Sequence, residues 1–168
     1  LALVNERGEP IGEDYTLAFA VRAVLRGLKA GSNAPTVVVN LSTSLVVEDA
    51  AREHGARFFR APVGEAHVAR MIRDEGAVIG GEGNGGVIDP SVHIGRDAPV
   101  GVALILQLLV ESGQTVSGLV AAAPRYHIVK AKAPRGADLA PAYQALRKRF
   151  ADATVDDRDG LRLSWPDR

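Results

Sequence analysis

At 168 residues, 46% of them apolar, the chain has room for one full domain and part of a second, with enough core to fold without cross-links. It has no cysteine, which excludes disulfides and thiolate chemistry and fits an expected cytoplasmic location. Twenty basic residues balance twenty acidic ones, so no net field draws nucleic acid, and the longest apolar run, residues 99–106 with Gly101 inside it, is too short to cross a bilayer; neither nucleic acid nor a membrane is expected as a partner.

In chain order, residues 1–4 read as a strand that starts abruptly, and residues 5–9 as a turn. Asp14 is placed to cap a helix running to about Leu28, with Leu17, Val21, Val24, Leu25 and Leu28 on one broad face and Gly31 ending it. Residues 36–41 form a β-branched run bounded by Pro35 and Ser42, as a buried strand would. A helix is predicted over residues 43–54, closed by Gly55, with Ser42 or Ser44 as a cap rather than a nucleophile. A short strand at 57–60 and a helix at 65–74 follow, with Val68, Met71 and Ile72 inward and Gly76 at the end. Residues 77–80 read as one more strand. Strand and helix thus alternate, which indicates a three-layer α/β domain with a mostly parallel, four-stranded core sheet.

Residues 80–86, Gly-Gly-Glu-Gly-Asn-Gly-Gly, break the pattern as a flexible loop, and Val87 and Ile88 form a short returning strand. Asp97 is placed to cap an apolar helix over 98–111, with Pro99 tolerated in its first turn, and a shorter helix covers 115–123. Residues 126–131 alternate loosely, as an exposed strand or linker would. A helix opened by Asp138 carries Leu139, Ala142, Tyr143, Leu146 and Phe150 on one side and ends in the basic triplet Arg147, Lys148 and Arg149, which suits a solvated helix C-terminus. Residues 154–155 and 161–163 flank an acidic turn, and Trp165 has nothing left to pack over it. The domain limits are therefore 1–123, a linker at 124–137, and a partial α+β C-terminal domain at 138–168.

The candidate chemistry lies in the glycine segment. Glycines allow close backbone approach and positive φ, and Glu82 and Asn84 are its only functional side chains. Glu accepts hydrogen bonds, and Asn donates and accepts, a match for a polyhydroxyl ligand that both face. The segment lacks the Gly-Lys-Ser/Thr ending of a phosphate loop and the spacing of a dinucleotide loop. His54, His67, His93 and His127 have no metal-ligand spacing; His54 ends a helix, and His93 lies beside the glycine segment. The carboxylate pairs Glu48-Asp49 and Asp156-Asp157 read as solvated surface.

The run from Gly80 to Ile88, followed by His93-Ile94-Gly95-Arg96-Asp97-Ala98, resembles the α-D-phosphohexomutase family of phosphoglucomutases, phosphomannomutases and phosphoglucosamine mutases. Residues 8–14, Thr43-Ser44, Pro62-Val63-Gly64-Glu65, Pro124-Arg125-Tyr126 and Asp157-Arg158-Asp159-Gly160-Leu161 resemble other family stretches in the same order. The resemblance implies the third, sugar-binding domain of four, followed by an incomplete start of the fourth. It implies an intact enzyme that moves a phosphoryl group between the 1- and 6-positions of a hexose phosphate (glucose, mannose or glucosamine). The phosphoserine and Mg2+ would lie outside this chain, and a hexose 1,6-bisphosphate would be activator and intermediate. The partners would be the hexose phosphate and the protein's other domains, and the chain alone would be inactive.

By the same resemblance, Glu82 and Asn84 bind the sugar within the backbone of Gly81, Gly83 and Gly85. His67, His93 and Arg96 are expected near the site. Asn84 replaces the family's usual serine, and Gly86 replaces its histidine, so that histidine's acid/base role is not carried over. A catalytically inactive sugar-phosphate-binding or assembly homologue is the alternative.

Overall fold

The computed structural model describes residues 1–28, 33–129, 131–134 and 138–166. The expected helix end at Gly31 lies outside the described residues. The chain divides into two compact units, Leu1–His127 and Ile128–Arg168.

The first unit is built on a four-stranded sheet in the order β2-β1-β3-β4. These strands are β1 (Thr36–Asn40), β2 (Arg57–Ala61), β3 (Ile79–Glu82) and β4 (Gly86–Ile88). β1 pairs in parallel with β2 and β3, and β4 returns antiparallel to β3. The mostly parallel, four-stranded sheet of the sequence reading is therefore present. Its fourth strand, however, is β4 and not residues 1–4. Residues 1–4 make only one isolated bridge, Val4 to Pro10. The Asn5 side chain closes the intervening turn by accepting from the amides of Arg7 and Glu9, so this segment's hydrogen bonds are satisfied locally.

Helices cover both faces. α1 (Glu13–Gly27) and α2 (Leu45–Arg52) lie on one, where Leu17, Val21, Val47 and Ala50 cluster with Val37, Val39 and Ile79. α3 (Glu65–Glu75) lies on the other, where Val68 and Ile72 meet Val38 and Ile88. Successive strand residues alternate between faces, so three consecutive buried valines in β1 require cover on both sides. α4 (Ala98–Ser112) and α5 (Val116–Ala122) add a cluster of Ile105, Leu108 and Leu119 around Phe19 and Ala23 of α1.

The helix starts follow local chemistry, with corrections. Asp14 does not cap α1, which begins at Glu13 after Gly12; its Oδ1 instead accepts from the Ser44 amide. α2 is shorter than expected because the Ser44 hydroxyl caps it at Leu45. Asp97 caps α4 as expected, Thr115 caps α5 rather than opening it, and Gly76 ends α3 in the left-handed conformation.

The largest correction concerns residues 80–86. They are not a flexible loop: Gly80, Gly81 and Glu82 are strand residues, and the turn is only Gly83-Asn84-Gly85. Glycine is in the strand for space. A Cβ on Gly80 would stand 2.3 Å from the Val38 carbonyl, and one on Gly81 would stand 2.0 Å from the Gly86 carbonyl. Gly85, at φ +84°, supplies the left-handed step of the three-residue hairpin.

Residues 126–129 form no strand; the Tyr126 hydroxyl donates to Asp49 at 2.6 Å. The carboxylates read as solvated are engaged. Glu48 pairs with Arg52 and Arg60, Asp156 with Arg158, and Asp157 with Arg147. Hydrogen bonds from the Arg158 side chain and backbone amide, with its charge, hold the Asp156 carboxyl down at about 2.

The second unit holds α6 (Ala140–Arg149) and the antiparallel pair β5 (Thr154–Asp156) and β6 (Arg162–Ser164), a small α+β segment. α6 begins at Ala140, whose amide donates to Asp138. Trp165 does find packing: its ring meets Phe150 edge-on at 5.5 Å, and its indole nitrogen donates to Asp152. No single helix among the described residues is long and apolar enough to cross a membrane.

Candidate functional site

β1, β2 and β3 end side by side at Asn40, Ala61 and Glu82. In open α/β sheets the carboxyl edge of the strands is where ligands bind. Here the edge presents a polar cluster on an apolar sheet. Glu82 is 5% exposed, and Asn40, Thr43 and Ser44 are buried beside it. A buried carboxylate is tolerated only where donors or a cation meet it.

Glu82 has both. Its Oε1 accepts from Asn40 Nδ2 at 2.9 Å, and its Oε2 lies 3.5 Å from Nη1 of Arg96. Asn40 is itself fixed, because its Oδ1 accepts from the Thr43 hydroxyl at 2.7 Å and from Ser42. Thr43 Oγ1 then accepts from the Gly83 amide at 3.0 Å, which ties the β1–α2 turn to the hairpin tip. Arg60, buried, donates to the Thr43 carbonyl at 2.8 Å and to Glu48. The turn is therefore held from below by a cation and from the side by Asp14.

Gly83 is where three elements meet. An added Cβ would stand 2.5 Å from Asp14 Oδ1 and 3.0 Å from the Thr43 Cα. Asn84, by contrast, is exposed. Its Oδ1 accepts from the Gly86 amide at 3.1 Å, which leaves the Nδ2 donors facing outward. Glu82 and Asn84 thus present different groups from different depths: a fixed acceptor below, a donor above.

Arg96 connects the two levels. Its backbone amide and its Nε donate to the two oxygens of Glu65, each at 2.8 Å. These bonds hold the Glu65 carboxyl below the usual carboxylate range. The aliphatic stem of Arg96 lies over Gly86, 2.4 Å from where a Cβ would be. The space above residue 86 is therefore filled by arginine. A cleft of about 460 Å³ opens here, lined by Glu65, Asn84, Gly85, Gly86, Arg96 and Asp97 among others. Arg96 lines it, and Glu82 sits behind Arg96.

Of the other expected neighbours, His93 flanks Gly95 together with Glu65: a Gly95 Cβ would meet His93 Cε1 at 2.7 Å and Glu65 Oε1 at 3.1 Å. His67 is exposed on the first turn of α3 beside Gly64, and nothing links it to Glu82. Asp14, Thr43 and Glu65 lie in stretches that resemble the family but were given no role at the site, and Asn40 was missed altogether. Asn40 left a signal as a polar residue closing an otherwise apolar strand. Among the described residues no three His, Asp or Glu side chains gather to hold a metal ion.

Comparison with known proteins gives a consistent picture. The model of the phosphoglucomutase/phosphomannomutase α/β/α domain III matches residues 12–126. A protein from Methanopyrus kandleri named probable phosphoglucosamine mutase is 36% identical over 99% of this chain and 37% of its own length. A phosphoglucomutase/phosphomannomutase from Thermococcus kodakarensis is 33% identical over 98% of this chain and 36% of its own length. The chain therefore spans little more than a third of these relatives. The crystal structure of a phosphoglucomutase/phosphomannomutase family protein from Burkholderia thailandensis superposes with a TM-score of 0.71 at 21% identity, over 98% of this chain and 35% of that one, a likeness of fold.

Proposed function

Because the chain belongs to the phosphoglucomutase/phosphomannomutase family through its third α/β/α domain, we propose that it is the sugar-gripping part of an intramolecular phosphotransferase that interconverts hexose 1-phosphate and 6-phosphate. The supporting observation is the buried Glu82 carboxylate. Asn40 fixes one oxygen, and among the described residues the other meets the long ion pair with Arg96 and no hydrogen-bond donor. An acceptor held this way offers a ligand hydroxyl a charge-assisted hydrogen bond worth ~1.5–3 kcal/mol.

In this reading the Glu82 carboxylate accepts from a sugar hydroxyl. Asn84 Nδ2 donates to another, and the close packing of Gly81, Gly83 and Gly85 against Gly86, Asp14 and Leu1 holds the two side chains in place beside the ring. The phosphoserine that exchanges the phosphoryl group and the magnesium that offsets its charge are assigned to parts of the protein outside this chain. A hexose 1,6-bisphosphate serves as activator and intermediate. What this chain contributes is orientation: its hydroxyl contacts hold the sugar while either phosphorylated end is presented to the chemistry. Residues 138–168, with the helix and hairpin at 140–164, are read as the start of the fourth domain.

The substrate is a hexose phosphate; glucose, mannose and glucosamine phosphates are the forms named by the relatives' activities. A second reading, a sugar-phosphate-binding or assembly homologue without turnover, is favoured by Gly86, which has no side chain to move a proton. The two are separated by assaying the intact protein with each hexose 1-phosphate, magnesium and the matching 1,6-bisphosphate. Turnover supports the mutase. Glu82→Ala then lowers kcat/KM by at least about tenfold, equivalent to ~1.4 kcal/mol. An unchanged value would remove Glu82 from the site.

A further inference from the structure

Arg96 lies against two carboxylates, Glu65 and Glu82. Glu65 takes its amide and its Nε, and Nη1 reaches toward Glu82 at 3.5 Å. The side chain is 47% exposed on the wall of the cleft. The arginine is thus fixed at its base by one carboxylate and presents its far end to solvent beside a second, buried one.

We infer that Arg96 is a second ligand-binding residue of this site, donating from its guanidinium to the same sugar hydroxyl whose proton Glu82 accepts, and that Gly86 is glycine in order to admit it. The inference rests on the hydroxyl reading of Glu82 given above. A hydroxyl is donor and acceptor at once. Glu82 Oε2 and Arg96 Nη1, 3.5 Å apart, are an acceptor and a donor side by side, the complement of that single group. The alternative ligand for an arginine is a phosphate, and the local charge opposes it. One guanidinium stands between two carboxylates, Glu65 and Glu82, so the cluster carries a net negative charge. A neutral hydroxyl meets no such repulsion.

Gly86 completes the case. The stem of Arg96 crosses directly over it, and a Cβ there would stand 2.4 Å from the Arg96 Cδ and 3.0 Å from the Cγ. Any side chain at residue 86 moves the arginine off the cleft wall while leaving its charge in the protein. That makes Gly86→Ala an independent way to displace Arg96.

The experiment uses the intact protein and compares kcat/KM for glucose 1-phosphate with that for its 2-, 3- and 4-deoxy forms, in wild type, Arg96→Met, Gly86→Ala and Glu82→Ala. The expected result is a loss of at least about tenfold for Arg96→Met on the parent sugar, the equivalent of ~1.4 kcal/mol. One deoxy sugar is then penalised less in Arg96→Met, where only the Glu82 contact is left to lose, than in the wild type, and Gly86→Ala reproduces that selective change. A structural role would lower all sugars alike, so an unaltered ranking of the deoxy forms in Arg96→Met overturns the inference. Wild-type kcat/KM in Glu82→Ala overturns the reading on which it rests, and the inference with it. Impaired Glu82→Ala beside an unaltered Arg96→Met overturns the role of Arg96 alone.

Discussion

Asn40 and Glu82 stand 42 residues apart in sequence and meet at the ends of two adjacent parallel strands, where the Asn40 amide donates to the Glu82 carboxylate at 2.9 Å. That bond fixes the acceptor on which the proposed sugar contact depends. Asn40 also accepts from Ser42 and Thr43, so one side chain sets both the carboxylate and the turn beneath it.

Asn40→Ala is expected to destabilise the protein by ~1–3 kcal/mol, because it leaves a buried carboxylate without its donor. Urea unfolding of the intact protein measures it. Asn40→Asp is expected to be worse, since it sets a second carboxylate where the amide stood. An unchanged urea midpoint in both variants would mean that Glu82 is held by other groups.

Arg60 and Arg52 both pair with Glu48, but their surroundings differ: the Arg60 side chain is 8% exposed and that of Arg52 is 68% exposed. Arg60→Ala leaves the Thr43 carbonyl without this donor and Glu48 with only the exposed Arg52, and is expected to cost roughly 2–4 kcal/mol, whereas Arg52→Ala is expected to cost under about 1 kcal/mol. Equal effects in thermal or urea unfolding would show that the turn does not depend on the buried cation.

The sequence disclosed the sheet and its covering helices because β-branched runs and 3.6-residue periodicity depend on near neighbours. It also marked Glu82, since glycines isolate it. It did not disclose Asn40 or Arg60, whose importance comes from strands pairing in register: Val39 and Asn40 lie opposite Arg60 and Ala61. Residues 80–82 were misread as loop for a related reason. Glycine is permissive in isolation, and only the approach of Val38, Ile72 and Gly86 shows that these positions are strand where a side chain has no room. Trp165 looked orphaned because its partner, Phe150, lies across a hairpin from it.

Glu65 gives a pH prediction. The backbone amide of Arg96, and then its side chain, hold the Glu65 carboxyl below its ordinary value in the folded protein. A depressed carboxyl adds stability that is present above its unfolded pKa and is lost as pH falls through the folded one. The Glu65–Arg96 contact is therefore intact at neutral pH and weakens only as acid protonates the carboxyl. Urea midpoints measured from neutral pH downward should fall less steeply for Glu65→Gln than for wild type; parallel profiles would contradict this.

Thr16 lies fully buried in α1, and its hydroxyl has no hydrogen-bond partner among the described residues. Replacing it with valine, of similar shape, removes an unpaired polar atom from the core. Thr16→Val is expected to leave stability unchanged or raise it by up to ~1 kcal/mol. A clear loss would reveal a partner for the hydroxyl.

The most direct test of the central claim is a crystal structure of the intact protein with a bound hexose phosphate, read for the distance from Glu82 to the sugar. The account predicts a Glu82 carboxylate oxygen within ~2.5–3.0 Å of a sugar hydroxyl, with the Asn40 contact retained. A sugar held wholly by other residues, with Glu82 still facing only Asn40 and Arg96, would contradict it.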